Sequence, residues 1–108
     1  MEIYELSEGE RFLIEVIREF RFLSGYGYRG SGFVVAGREY WVTFKNSSRS
    51  ITIIWQESQD LNVIFKKKKF FVTISSDLSK IAKFKRTPTS LKTLAKIIQS
   101  DYIYLINP

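Results

Sequence analysis

The chain has no histidine and no cysteine in its 108 residues. Without cysteine there is no disulfide, no thiolate metal site and no cysteine nucleophile. That fits a reducing compartment. Without histidine the usual near-neutral general base and the commonest metal ligand are both missing. Carboxylate-only chemistry is still open to the chain. No apolar run approaches the length needed to span a bilayer. The opening MEIYELSEGE is acidic and lacks the apolar stretch of a signal peptide. These absences lead to the expectation of a cytoplasmic protein with no metal, no cofactor and no membrane contact. Proline occurs twice and glycine six times, with four of the glycines gathered between Gly25 and Gly32.

What is present is apolar and basic. The hydrophobic fraction is 44% and the aromatic fraction 16%, enough for a packed core rather than a disordered chain. The length suits one domain over residues 1–108. The net charge of +6 is unevenly spread. Residues 1–44 hold seven acids and five bases, whereas residues 45–108 hold four acids and twelve bases. A basic half of this kind attracts nucleic acid, anionic lipid or an acidic protein, or simply keeps the surface soluble.

Hydrophobic periodicity predicts an α+β fold with an N-terminal helix, a five-stranded antiparallel β-meander and a C-terminal helix. Ser7-Glu8-Gly9-Glu10 reads as a capping box. Phe12, Leu13, Val16, Ile17 and Phe20 follow at helical spacing, which predicts a helix from about Glu8 to Phe22. The stretch Gly25–Gly32 reads as a connection. It matches neither a Walker A loop nor a dinucleotide fingerprint, because it follows a helix and precedes a strand.

From Phe33 the period becomes two. Strands are predicted around Phe33–Val35, Tyr40–Phe44, Ile51–Trp55, Leu61–Phe65 and Phe70–Ile74, with short polar connectors that imply hairpins. Pairing Phe33 with Val42, Val42 with Ile53, Ile53 with Val63 and Val63 with Val72 gathers the larger apolar side chains on one face. Thr87-Pro88-Thr89-Ser90 opens a last helix, carried by Leu91, Leu94, Ala95, Ile98, Tyr102 and Leu105. Asp77–Arg86 reads as either a short helix or a packed loop.

Two constellations follow. The meander brings Lys45, Arg49, Lys66, Lys67, Lys68 and Lys69 to one end of the sheet, as an anion-attracting tip or a solubilising hairpin. On the second sheet face stand Trp41, Ile54, Ile64 and Phe71, with Trp41 opposite Ile54 and Ile64 opposite Phe71. The C-terminal helix, a protein partner or second copy, or unpaired bases could cover this cluster.

Catalysis has little support. Glu8 with Glu10, and Glu15 with Glu19, lie on the polar side of a helix, and Glu57 and Asp60 share one turn. Ser47-Ser48 and Ser75-Ser76 have no histidine to activate them.

The run Phe12–Phe22 into Tyr28–Phe33, followed by Tyr40–Phe44 and Ile51–Trp55, resembles small bacterial α+β proteins of toxin-immunity type. The resemblance is a pattern over residues 8–75 without a diagnostic motif. It implies a protein that binds a toxin and performs no chemistry. The basic charge departs from immunity proteins against nucleases, which tend to be acidic. The expectation is a non-enzymatic protein-binding module using the second face. The alternative is a nucleic-acid-binding module using the basic end.

Overall fold

The computed structural model describes residues 7–56, 61–67, 70–73 and 88–107. The chain opens with helix α1 (Glu8–Glu19), whose capping box closes as expected. The Glu10 amide donates to Ser7 Oγ and the Ser7 amide to Glu10 Oε1, each at 3.2 Å. The α-helix stops earlier than its apolar periodicity predicts. After Phe20 the chain tightens into a 3₁₀ turn (Arg21–Tyr26), which Gly27 ends in the left-handed region at φ 82°. A side chain is disfavoured there, so the glycine sets the exit.

Five strands follow in sequence order across one antiparallel sheet: β1 (Arg29–Ala36), β2 (Glu39–Lys45), β3 (Arg49–Gln56), β4 (Leu61–Lys67) and the short β5 (Phe70–Thr73). The first four run seven or eight residues and the last only four. Gly37, at φ 61°, makes the two-residue turn between β1 and β2. At the next turn Asn46 Oδ1 accepts from the Ser48 and Arg49 amides at 3.0 and 2.7 Å. Helix α2 (Pro88–Asp101) and the single turn α3 (Ile103–Ile106) close the fold, with Pro88 in the first turn as its fixed φ allows. Asp77–Arg86 lies outside the described residues.

Three expected pairings hold: Phe33 faces Val42, Val42 faces Ile53, and Ile53 faces Val63. The fourth does not. Val72 pairs with Phe65, not Val63, and Phe71 pairs with Lys66, not Ile64. Ile64 pairs with Thr73 instead. The ladder runs on to Lys67 opposite Phe70, so Lys66 and Lys67 belong to the strand rather than to the connector. The slip is two residues. Side chains alternate with period two, so an even slip keeps every apolar residue on its face and the hydrophobic pattern cannot detect it.

The glycine-rich stretch is also more ordered than a connector. Its first half ends the 3₁₀ turn, and its second half is already β1, with a register irregularity between Gly30 and Gly32.

The core lies on one face of the sheet. Val42, Phe44, Ile51, Ile53, Trp55, Leu61, Val63 and Phe65 form one buried cluster with Phe12, Val16 and Phe20 of α1 and Leu91, Leu94, Ala95 and Ile98 of α2. Both helices therefore cover the same side. Gly9 sets how closely α1 can approach. A Cβ there would stand 2.7 Å from Tyr40 Cε1. Tyr40 itself stacks between Phe33 and Trp55, with centroids 6.4 and 5.4 Å away.

Candidate binding face

Because α1 and α2 share one face, no described helix lies over the other. Leu94 and Ile98 are buried in the main core, and the Tyr102 ring stacks 6.2 Å from Phe65 on that same side. The C-terminal helix thus does not form a second core layer over Trp41, Ile54 and Ile64. Among the described residues nothing covers the second sheet face, on which alternate residues of β1 to β4 stand in cross-strand rows.

One row runs Val34, Trp41, Ile54, Asn62. Trp41 is opposite Ile54, as expected. The Trp41 indole N–H donates to Glu39 Oε2 at 2.8 Å, which holds the ring along its own strand. Ile54 is only 6% exposed, whereas Trp41 and Ile64 remain partly open. Phe71 is placed by its backbone pairing, opposite Lys66 and one row nearer the basic end than expected.

The next row runs Gly32, Thr43, Thr52, Ile64, Thr73. The hydroxyls of Thr43 and Thr52 bond to each other at 3.0 Å. They consume part of one another's hydrogen-bonding capacity, which lowers the polarity of the middle of the face.

The last row is basic: Arg29 pairs with Lys45, Lys45 with Ser50, and Ser50 with Lys66. Strands are about 4.8 Å apart, so Arg29 and Lys45 are immediate neighbours and Lys66 lies about 10 Å beyond Lys45. All three are exposed. Arg29 was hidden from sequence reasoning by the glycines around it. Its visible signal would have been its position four residues before Phe33, since a strand read backwards from Phe33 reaches it.

The other predicted cations divide between the two faces. Arg49 pairs with Lys67, and β3 alternation turns both toward the helix side. Arg49 is engaged there: Nη1 donates to the carbonyls of Asn107 and Tyr104 at 2.6 and 3.3 Å. A guanidinium at the carbonyl end of a helical turn satisfies otherwise orphaned acceptors. Arg49 therefore ties the end of α3 to the sheet and is not part of the open basic row. Lys68 and Lys69 lie outside the described residues.

Beside this tether, the Tyr28 hydroxyl donates to the Ile106 carbonyl at 3.0 Å across a buried contact. Burial raises the Tyr28 pKa above its ordinary 10.0, and the Arg49 charge partly opposes the rise.

Among the described residues, no group of three carboxylates could hold a metal ion, and no helix is long and apolar enough to cross a membrane. Compared with known proteins, the chain matches no family model, no curated protein and no solved structure.

Proposed function

We propose that this chain is a non-enzymatic protein-binding module whose contact surface is the open sheet face, centred on Trp41 and Ile64. The observation that carries the reading is the placement of both helices on the opposite side. A sheet face bearing a partly open tryptophan, a partly open isoleucine and a basic margin has the apolar centre and polar rim of a protein interface. Trp41 is the natural anchor, because a large aromatic fixed at its polar end can be buried at little conformational cost. The immunity-type role belongs to this proposal as its most specific form, with a partner enzyme as the captured protein.

The test is capture with immobilised protein. Trp41→Ala and Ile64→Asp should lose a partner that wild type and an exposed control variant elsewhere, Tyr104→Ala, both retain. Thermal melts of each variant separate lost binding from lost folding. Equal capture by all four proteins would sink the proposal.

A second reading has one specific observation behind it: Arg29, Lys45 and Lys66 share a cross-strand row on the same face as Trp41. Such a row suits the phosphates of a single strand, with a base on the indole. Affinity for single-stranded DNA or RNA should then fall steeply with salt. Replacing Lys66, Lys67, Lys68 and Lys69 with serine should flatten that slope. Absence of any binding at low salt removes this reading.

A further inference from the structure

Where α1 gives way to the 3₁₀ turn, a cleft of about 200 Å³ opens between the end of the helix and the sheet. All of its lining residues belong to the described part of the chain. Ile17 of α1 and Phe20 at its end form one wall, and Leu23 of the 3₁₀ turn continues it. Phe44 of β2 and Gly30 of β1 form the other. Gly30 pairs with Phe44 and so shares its face of the sheet, toward the helices. A Cβ at Gly30 would meet no heavy atom within 4 Å beyond its chain neighbours. Part of the cleft is therefore the room that a side chain at this position would fill.

The walls are apolar, and their polar groups are already committed. Phe20, Leu23, Tyr28 and Phe44 are buried, and Ile17 is half exposed. The Tyr28 hydroxyl donates to the Ile106 carbonyl, and the Ser24 hydroxyl donates to the Arg21 carbonyl at 2.9 Å. The Leu23 and Tyr28 amides donate to the Phe20 and Leu23 carbonyls. A ligand rich in hydroxyls or amides would lose its water here and gain few partners.

One lining charge is uncommitted. Arg21 is exposed and makes no ion pair among the described residues. Glu19, two residues before it, pairs with Arg18 instead. No carboxylate is among the lining residues. The size sets the rest: an apolar cavity of about 150 Å³ is enough to hold benzene, whereas drug-sized ligands occupy about 300 Å³ or more.

We propose that this cleft binds a small apolar carboxylate, an ionised aromatic or medium-chain carboxylic acid. Its hydrocarbon lies against Ile17, Phe20, Leu23 and Phe44, and its carboxylate meets the Arg21 guanidinium. The planar fork of arginine matches a carboxylate. Because Arg21 is exposed, the head group keeps contact with water and escapes the cost of full desolvation. The cleft lies on the helix side of the sheet, so this site is independent of the open face around Trp41 and Ile64.

Sodium octanoate and n-octanol share a chain length and differ in charge, which makes them the probes. Titrated into isotope-labelled protein, octanoate should move the Ile17 and Leu23 methyls saturably and leave the Trp41 indole N–H in place. Octanol should move the same methyls and bind about fivefold more weakly, the scale of one partly solvated guanidinium–carboxylate contact. Arg21→Gln should erase that difference by weakening octanoate alone. Gly30→Val puts a side chain into the cleft and should weaken both probes at least about tenfold. Ile17→Trp fills it from the opposite wall and takes the place of Gly30→Val if that variant melts early. The inference is overturned if millimolar octanoate leaves the Ile17 and Leu23 methyls unmoved, if Arg21→Gln binds octanoate as tightly as wild type, or if binding survives a folded cleft-filling variant.

Discussion

Gly9→Ala puts the packing of α1 on the sheet to a quantitative test. In an exposed helix this substitution stabilises by up to about 1 kcal/mol, because alanine loses less conformational freedom. Gly9 is the second residue of α1, where that gain is smaller. Against it stands the contact: the new Cβ lies 2.7 Å from Tyr40 Cε1 and 3.4 Å from Phe33 Cζ. Restoring ordinary van der Waals distance means moving helix or ring by roughly 0.7 Å. The ring cannot move freely, since it is stacked between Phe33 and Trp55 with interplanar angles of 10° and 9°. Phe12 closes over it at a centroid distance of 6.2 Å.

Overpacking of this kind costs about 1–3 kcal/mol, so the net expectation is a loss of about 1–2 kcal/mol. For a domain of this size that is a fall in Tm of about 5–10 °C. Gly25→Ala is the internal contrast, because nothing lies within 4 Å of its Cβ position and its φ is not in the left-handed region. It should stabilise by about 0.4–1 kcal/mol through the unfolded state. The pair is read by thermal melts under identical conditions. A Gly9→Ala protein at least as stable as wild type would refute the placement of α1 against Tyr40.

Tyr28→Phe should cost about 1–3 kcal/mol in chemical denaturation, because it leaves the buried Ile106 carbonyl without its donor. Tyr28 has a raised pKa in the folded state, so its contribution is complete below about pH 10 and is lost as pH climbs through the folded value. Melts between pH 9 and pH 12 should therefore fall less steeply for the phenylalanine variant. Arg49→Ala should cost about 1 kcal/mol, the guanidinium being partly solvated, and should raise amide exchange in α3 without altering the salt dependence of any anion binding. Val63→Asp places a carboxylate at a position with no solvent exposure and should cost at least about 4 kcal/mol, read as loss of the cooperative melt.

Much of the architecture is legible in the residues, for identifiable reasons. The capping box at Ser7 and Glu10 is a local motif with one geometry, and it forms as written. The strands from β2 to β4 alternate cleanly enough that a slip of one residue would bury threonine and expose isoleucine, so their register follows from the pattern. The β4–β5 register does not, because a slip of two residues preserves both faces and the pattern is silent between them. Arg29 and the start of β1 were masked by glycines, which weaken strand signals while permitting a strand.

The side chosen by α2 was open for another reason. Leu91, Leu94 and Ile98 specify an apolar stripe, but a stripe is silent on which of two apolar sheet faces it meets. Arg49 reads as one cation among several until alternation turns it toward the carbonyls of Tyr104 and Asn107. Even so, the placing of Trp41, Ile54 and Ile64 on one face follows from alternation alone, and what changes is the pairing of Ile64 and Phe71, which are opposite Thr73 and Lys66 rather than each other.

The most direct test of the binding proposal is a side-chain NMR titration of the isotope-labelled protein with a partner captured by wild type and not by Trp41→Ala. The account predicts shifts at the Trp41 indole N–H, the Ile64 methyls and the Thr43 and Thr52 methyls. The methyls of Leu94, Ile98 and Val63 on the helix side should stay in place. Shifts confined to the exposed surfaces of α1 and α2, with the Trp41 indole unmoved, would contradict it.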